Sequence, residues 1–291
     1  MLSKAYAKLG LMRKCKYILD RDSLQTIYFS FIRSALEYAD VIWDHIPEYL
    51  SQKIENIQLE AARIVTGGNK LASKNLLYIE TGWIPLYKRR EDHRLIQLFK
   101  IYHNKTPDYL YELLQTLLSQ GNQYNTRNTN SIREIHTRTQ LYFNSFFPKT
   151  IRRWNLIPSE IQNNPSLANF KKYLNPLRVK IPVYYNTGSR KSQILHSKLR
   201  LECSDLRFHL FRRNLCASPL CSCGSIENTE HYLLHCPKYN DIRRTTIHTL
   251  TDYTDINIAL LLYGLPDLDV RTNRHVFEMV HAFISGSKRF T

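Results

Sequence analysis

Three observations predict a mostly α-helical chain, a helical bundle followed by a small α (or α+β) module stapled by cysteine and histidine. Apolar residues recur at helical spacing through the first third of the 291 residues. A closing segment sets Val276, Phe277, Val280, Phe283 and Ile284 on one helical face. Between them, three of the six cysteines and two of the eleven histidines crowd into PLCSCGSIENTEHYLLHCP, from Pro219 to Pro237.

In chain order, Leu24, Ile27, Tyr28, Phe31, Ile32, Ala35 and Leu36 follow the helical period, with Asp22 or Ser23 as N-cap. A second helix opens at Ser51 and presents Ile54, Ile57, Ala61, Ile64 and Val65 until Gly67 and Gly68 end it. A third starts with Pro85 near its first position and runs through Leu86, His93, Ile96 and Phe99 to Asn104 and Pro107. Lys88, Arg89, Arg90 and Arg94 are assigned to its solvated side. The polar, Asn-rich stretch 119–131 reads as a linker.

Beyond that linker, Phe143, Phe146, Phe147 and Trp154 stand among Lys149, Arg152 and Arg153. Such a mixture fits stacking on unpaired bases with phosphate neutralisation, and equally a small aromatic core. The loop-like YNTGSRKS, Tyr185 to Ser192, marks a second boundary, and a helix is expected around Ser197 to Arg213. Ile258 to Tyr263 reads as a short core segment. Three segments result: a helical domain over 1–118, a basic Pro/Asn-rich connecting segment over 119–190, and a C-terminal module over 191–291.

Lysine and arginine number 41 against 25 acids, a formal charge of +16. The segment 119–190 holds 11 basic and 2 acidic side chains, net +9, against +4 for 1–118 and +3 for 191–291. So basic a block points to a polyanion, nucleic acid before an anionic membrane surface, with a merely solvated surface as the bland alternative. No apolar run approaches the ~18–20 residues of a membrane span, and the N-terminus lacks a secretory signal. The expected setting is intracellular, nucleus and/or cytoplasm, where cysteines are reduced thiols or metal ligands rather than disulfides.

The Cys/His stretch has the pattern Cys221-x-Cys223, seven residues, His231, four residues, Cys236. Three thiolates and a neutral imidazole close a tetrahedron around zinc. Gly224 supplies a tight turn, Asn228 or Thr229 can cap a short helix carrying His231, and Pro237 stops it after Cys236. One structural zinc per chain is therefore expected, making 191–291 a zinc-stabilised module. His235, Cys216 and Cys203 are alternative thiols and imidazoles, packed cysteines without metal are the plain alternative, and Glu230 is the lone neighbour for a hydrolytic zinc.

LEYADVIWD, Leu36 to Asp44, contains Tyr38-Ala39-Asp40, but Val41 follows where a polymerase turn would carry a second aspartate. Asp40 is thus read as structural or surface. FIRSALEYADVIWD and IENIQLEAARIVTG nevertheless resemble the helical thumb after the palm in reverse transcriptases of non-LTR (LINE-type, jockey-like) retrotransposons. FFPKTIRRWNLIPSEIQNNPSLANFKKYL, LRFHLFRRNLCASPLCSCGSIENTEHYLLHCPKY and HVFEMVHAFISGSKRF continue the resemblance in order. It implies a thumb-like bundle, and a Cys/His element that binds zinc through Cys221, Cys223, His231 and Cys236 and contacts nucleic acid.

Palm carboxylates and an endonuclease have no counterpart in this sequence, so no catalytic residue is named and no chemistry by the chain alone is expected. The expected function is to grip template RNA or target DNA, with no small-molecule substrate and no membrane. Arg152, Arg153, Lys171 and Lys172, with Arg207, Arg212 and Arg213 leading into the Cys/His stretch, are the expected contacts. The rival readings are a structural or protein-interaction zinc module with no nucleic-acid activity, and an enzyme acting with a polymerase partner or around Glu230.

Overall fold

The computed structural model describes residues 2–119, 132–175, 180–252 and 255–290. Helices supply the regular structure, and β pairing among these residues is a single antiparallel bridge between Leu220 and Ile226. The stretch read as a linker lies, from residue 120 to 131, outside the described residues.

Two compact units emerge, each built from separated stretches. One takes Met1–Arg33, Ile57–Trp83 and Val179–Thr291; the other takes Ser34–Asn56 and Ile84–Arg178. These units interleave the three consecutive segments that composition suggests. The reason is hydrophobic: helix Leu86–Tyr102 packs against helices Phe146–Trp154 and Leu167–Leu174. Leu95, Phe99, Ile151, Trp154 and Phe170 then share one core, which makes residues 132–175 of the basic segment a folded part of the second unit, while residues 180–190 fall in the first.

In the first unit, helix Arg21–Ile27 is capped by Asp20, whose Oδ1 accepts from the Ser23 amide at 2.7 Å, two to three residues ahead of the expected caps. It continues as the π-helical stretch Tyr28–Arg33. Leu24, Tyr28 and Ile32 are fully buried while Phe31 is 59% exposed. A π turn holds more residues than an α turn, so positions four apart stay on one face and the i+3 neighbours swing out.

The predicted helix over Ser197 to Arg213 is two pieces, Arg190–Arg200 and Arg207–Phe211, because Glu202 adopts the left-handed φ of 50°. The YNTGSRKS stretch is packed rather than loose: Tyr184 and Tyr185 are buried against Phe277, and Ser189 caps helix Arg190–Arg200. The closing helix Val270–Gly286 buries all five residues chosen from its periodicity, together with Leu260 and Leu261 of helix Ile258–Tyr263.

The second unit overturns the solvated reading of the arginine run. Arg90 Nε meets Asp44 Oδ1 at 2.6 Å, Arg94 also reaches Asp44, and Lys149 Nζ lies 3.1 Å from its Oδ2. Arg89 Nη2 donates to Glu37 at 2.9 Å. Asp40 is buried with His93 Nδ1 at 2.6 Å, which confirms a structural role. Trp154 is fully buried and Phe146 and Phe147 pack beside it, so the core reading holds for these three, while Phe143 stays 39% exposed. Among the described residues, no helix is long and apolar enough to cross a membrane.

Candidate metal centre

The Cys/His corner belongs to the first unit and is made from a folded-back loop and one wide turn. The Cys221 amide donates to Ser225 O at 2.7 Å, and the Glu227 amide to Pro219 O at 2.9 Å. Gly224, at φ 91°, takes the left-handed position that closes this loop. Asn228 Oδ1 accepts from the His231 amide at 2.7 Å and starts the turn, as a capping residue should. His231–His235 is π-helical, and the Cys236 amide donates to His231 O at 2.7 Å. That five-residue step brings Cys236 back beside His231.

Pro237 holds Cys236 in an extended conformation, φ −64° and ψ 117°, and the turn stops there. The buried Arg243 guanidinium pins the end of this turn, donating to Leu233 O at 2.8 Å and Cys236 O at 2.9 Å. Arg243 was not singled out from the sequence. Its only signal there is a position seven residues past the last cysteine.

One ligand atom from each of Cys221, Cys223, His231 and Cys236 lies within 4.8 Å of the others. Cys221 Sγ and Cys236 Sγ are 3.7 Å apart, and Cys223 Sγ is 3.2 Å from His231 Nε2. Metal–thiolate bonds of about 2.3 Å at tetrahedral angles give a sulfur–sulfur edge of about 3.8 Å. A disulfide would need about 2.05 Å. The Cys221–Cys236 spacing therefore suits two ligands of one ion, and the four side chains together could hold a metal.

Burial pushes the Cys236 thiol up to about 12, while the neighbouring Ser225 backbone N–H holds the exposed Cys223 thiol below its ordinary value. A cation at the centre reverses the first effect, because the ligand it needs is the thiolate. The alternative ligands stand apart. The His235 side chain is 64% exposed and faces Glu230 at 3.8 Å. Cys216 Sγ is engaged by Arg207 O and Ser218 O, each at 3.3 Å. Cys203 is buried near Asn69, whose amide donates to its carbonyl. Accordingly His235→Ala and Cys216→Ser are expected to keep one metal ion per chain by elemental analysis, and Cys221→Ser to lose it.

The seven basic residues divide by surroundings. Lys171 and Lys172 are exposed on helix Leu167–Leu174. Arg152 stacks 3.5 Å from the centroid of the exposed Phe143 ring and donates to Phe143 O at 2.8 Å. Arg153 pairs with Glu91 at 2.6 Å. In the first unit, Arg207 is exposed at the start of its short helix, Arg212 pairs with Glu202 at 2.5 Å, and Arg213 donates to Leu71 O. No family model, curated protein or solved structure matches the chain.

Proposed function

We propose that the chain binds RNA or DNA without doing chemistry on it, and that zinc is the ion its Cys/His corner holds. The assignment of zinc rests on the donor set, three sulfurs and one imidazole within 4.8 Å of one another. Resemblance to the C-terminal part of a non-LTR reverse transcriptase supports the same reading, as a thumb-like helical part and a zinc module that grip nucleic acid.

The observation that carries the proposal is the charge of residues 119–190, 11 basic against 2 acidic, together with the exposed Lys171, Lys172 and Arg152–Phe143 stack. An arginine on an exposed ring is a surface that phosphates and unpaired bases both accept. Arg153, Arg212 and Arg213 are engaged within the protein, so Lys171, Lys172 and Arg207 carry most of the proposed contact, with Arg152, itself bonded to Phe143 O, contributing through its stack.

Binding to a single-stranded oligonucleotide is expected to weaken linearly in log–log salt titrations, by about 0.7 in slope for each phosphate engaged. The Lys171→Glu, Lys172→Glu double variant lowers that slope by more than about 1 in fluorescence anisotropy. Affinity that ignores both salt and these charges sinks the proposal in favour of a structural or protein-interaction zinc module.

A further inference from the structure

The back of the metal corner walls a cavity of about 220 Å³ in the first unit. Its apolar floor is Ile258 and Leu262, its aromatic sides are Phe208 and Tyr263, and its polar wall is Asn228 and Glu230. That wall is held by the corner itself, because Asn228 Oδ1 is bonded to the amide of the metal-ligand position His231 at 2.7 Å. The bond leaves the Asn228 Nδ2 hydrogens unspent, and the half-exposed Glu230 carboxylate, with His235 Nε2 no nearer than 3.8 Å, keeps room for a ligand's donors. A second lining acid, Glu202, is neutralised by Arg212 at 2.5 Å, and that guanidinium, half exposed, also lies 5.7 Å from the Phe208 ring.

We infer that this cavity is a pocket for one unpaired guanine base, an inference that rests on the nucleic-acid reading above and names the base. Guanine offers two adjacent N–H groups, N1–H and the N2 amine, that a carboxylate accepts side by side, and an O6 acceptor that an amide N–H meets. Glu230 and Asn228 supply that pair. Phe208 and Tyr263 offer rings for the base to stack on, and Arg212, beside Phe208 and Glu202, offers a cation to the phosphate. Adenine lacks the donor pair and hypoxanthine lacks the N2 amine, so each leaves the carboxylate short of a partner. A lysine or arginine side chain from a partner protein would use the carboxylate and the rings, but would be opposed by Arg212 and the Asn228 N–H groups.

The test uses the full chain with its metal bound. Calorimetry with GMP, AMP and IMP, and with lysine amide, probes the cavity directly. Anisotropy with a uridine 12-mer, and with the same strand carrying one central guanosine or inosine, probes it in a strand. The inference expects GMP and the guanosine strand to bind on the order of tenfold more tightly than their counterparts. Glu230→Gln should erase that preference, with metal content and uridine 12-mer affinity unchanged. Equal or absent binding of the mononucleotides, or binding of lysine amide in place of GMP, overturns the pocket even if all strands still bind with normal salt dependence. GMP binding without any strand binding upholds the pocket and removes the nucleic-acid reading instead.

Discussion

Chelation of the metal, or Cys236→Ser, is expected to unfold a large part of the first unit. Structural zinc contributes an apparent ~10–16 kcal/mol in small zinc-folded peptides, as much as the whole stability of about 5–15 kcal/mol typical of a folded protein. The corner is not a detachable flap. Cys221, Tyr232, Leu233 and Cys236 belong to the same hydrophobic core as Val276, Val280 and Phe283 of the closing helix, and Tyr232 Oη lies 2.7 Å from Ser287 Oγ just past that helix. If an ion joins them, its loss would leave three thiols and an imidazole crowded together without their central bond, and the core is expected to open from that side.

Circular dichroism should show loss of helical signal and a fall in melting temperature of more than about 10 °C on chelation. Unchanged melting, with no metal in the purified protein, would end the zinc assignment. The pH dependence has a definite sign. Burial keeps the Cys236 proton on until about pH 12, and metal binding must expel it, so metal affinity falls as pH falls. A competition titration against a chelator of known affinity should lose about tenfold in metal affinity per pH unit for each proton displaced.

What could be read from the sequence is what depends on local spacing. The closing helix, the face of helix Glu48–Thr66 that buries Ile54, Ile57, Ala61, Ile64 and Val65, and the four clustered metal ligands all lie within short windows. What could not be read depends on partners far along the chain. Arg90 and Arg94 look like a wet helix face until Asp44, 46 residues before Arg90, is folded against them. The Phe146, Phe147 and Trp154 aromatics fit two roles until helix Leu86–Tyr102 supplies Phe99 and Leu95 as the other half of a core. The π-helical stretch escaped for a different reason, since its four-residue spacing also satisfies an α-helical pattern.

Glu80→Ala is expected to destabilise the first unit by about 3–5 kcal/mol, the cost of stranding buried charge. Glu80 is buried between two arginines that are themselves buried. Arg21 Nη1 reaches its Oε1 at 2.8 Å, Arg200 Nη2 reaches the same oxygen at 2.8 Å, and Arg200 Nε reaches Oε2 at 2.8 Å. Ser197 Oγ donates to Oε1 at 2.8 Å as well. One carboxylate thus joins helices Arg21–Ile27, Lys74–Thr81 and Arg190–Arg200. Its removal leaves two buried guanidinium groups without their counter-charge, and Arg200 retains Leu262 O, Ser197 Oγ and the rings of Tyr185 and Phe277, 4.1 and 5.7 Å from their centroids. Glu80→Gln keeps some of the hydrogen bonds and should cost less.

Acid separates the charge from the packing in the same cluster. Burial alone would raise the Glu80 carboxyl, but Arg200 and then Arg21 outweigh it and hold it down at about 2, against 4.5 for an ordinary glutamate. A carboxylate depressed in the folded state stabilises above its unfolded value and loses that contribution as pH falls through the folded one. Glu80 therefore supplies about 3 kcal/mol at neutral pH that drains away between about pH 4.5 and pH 2. Denaturant unfolding at pH 7 and at pH 3 should show a smaller loss of stability on acidification for Glu80→Gln than for the wild type, because the variant has no such proton to take up. Equal losses in the two proteins would show that the two arginines do not hold this carboxylate in its charged form.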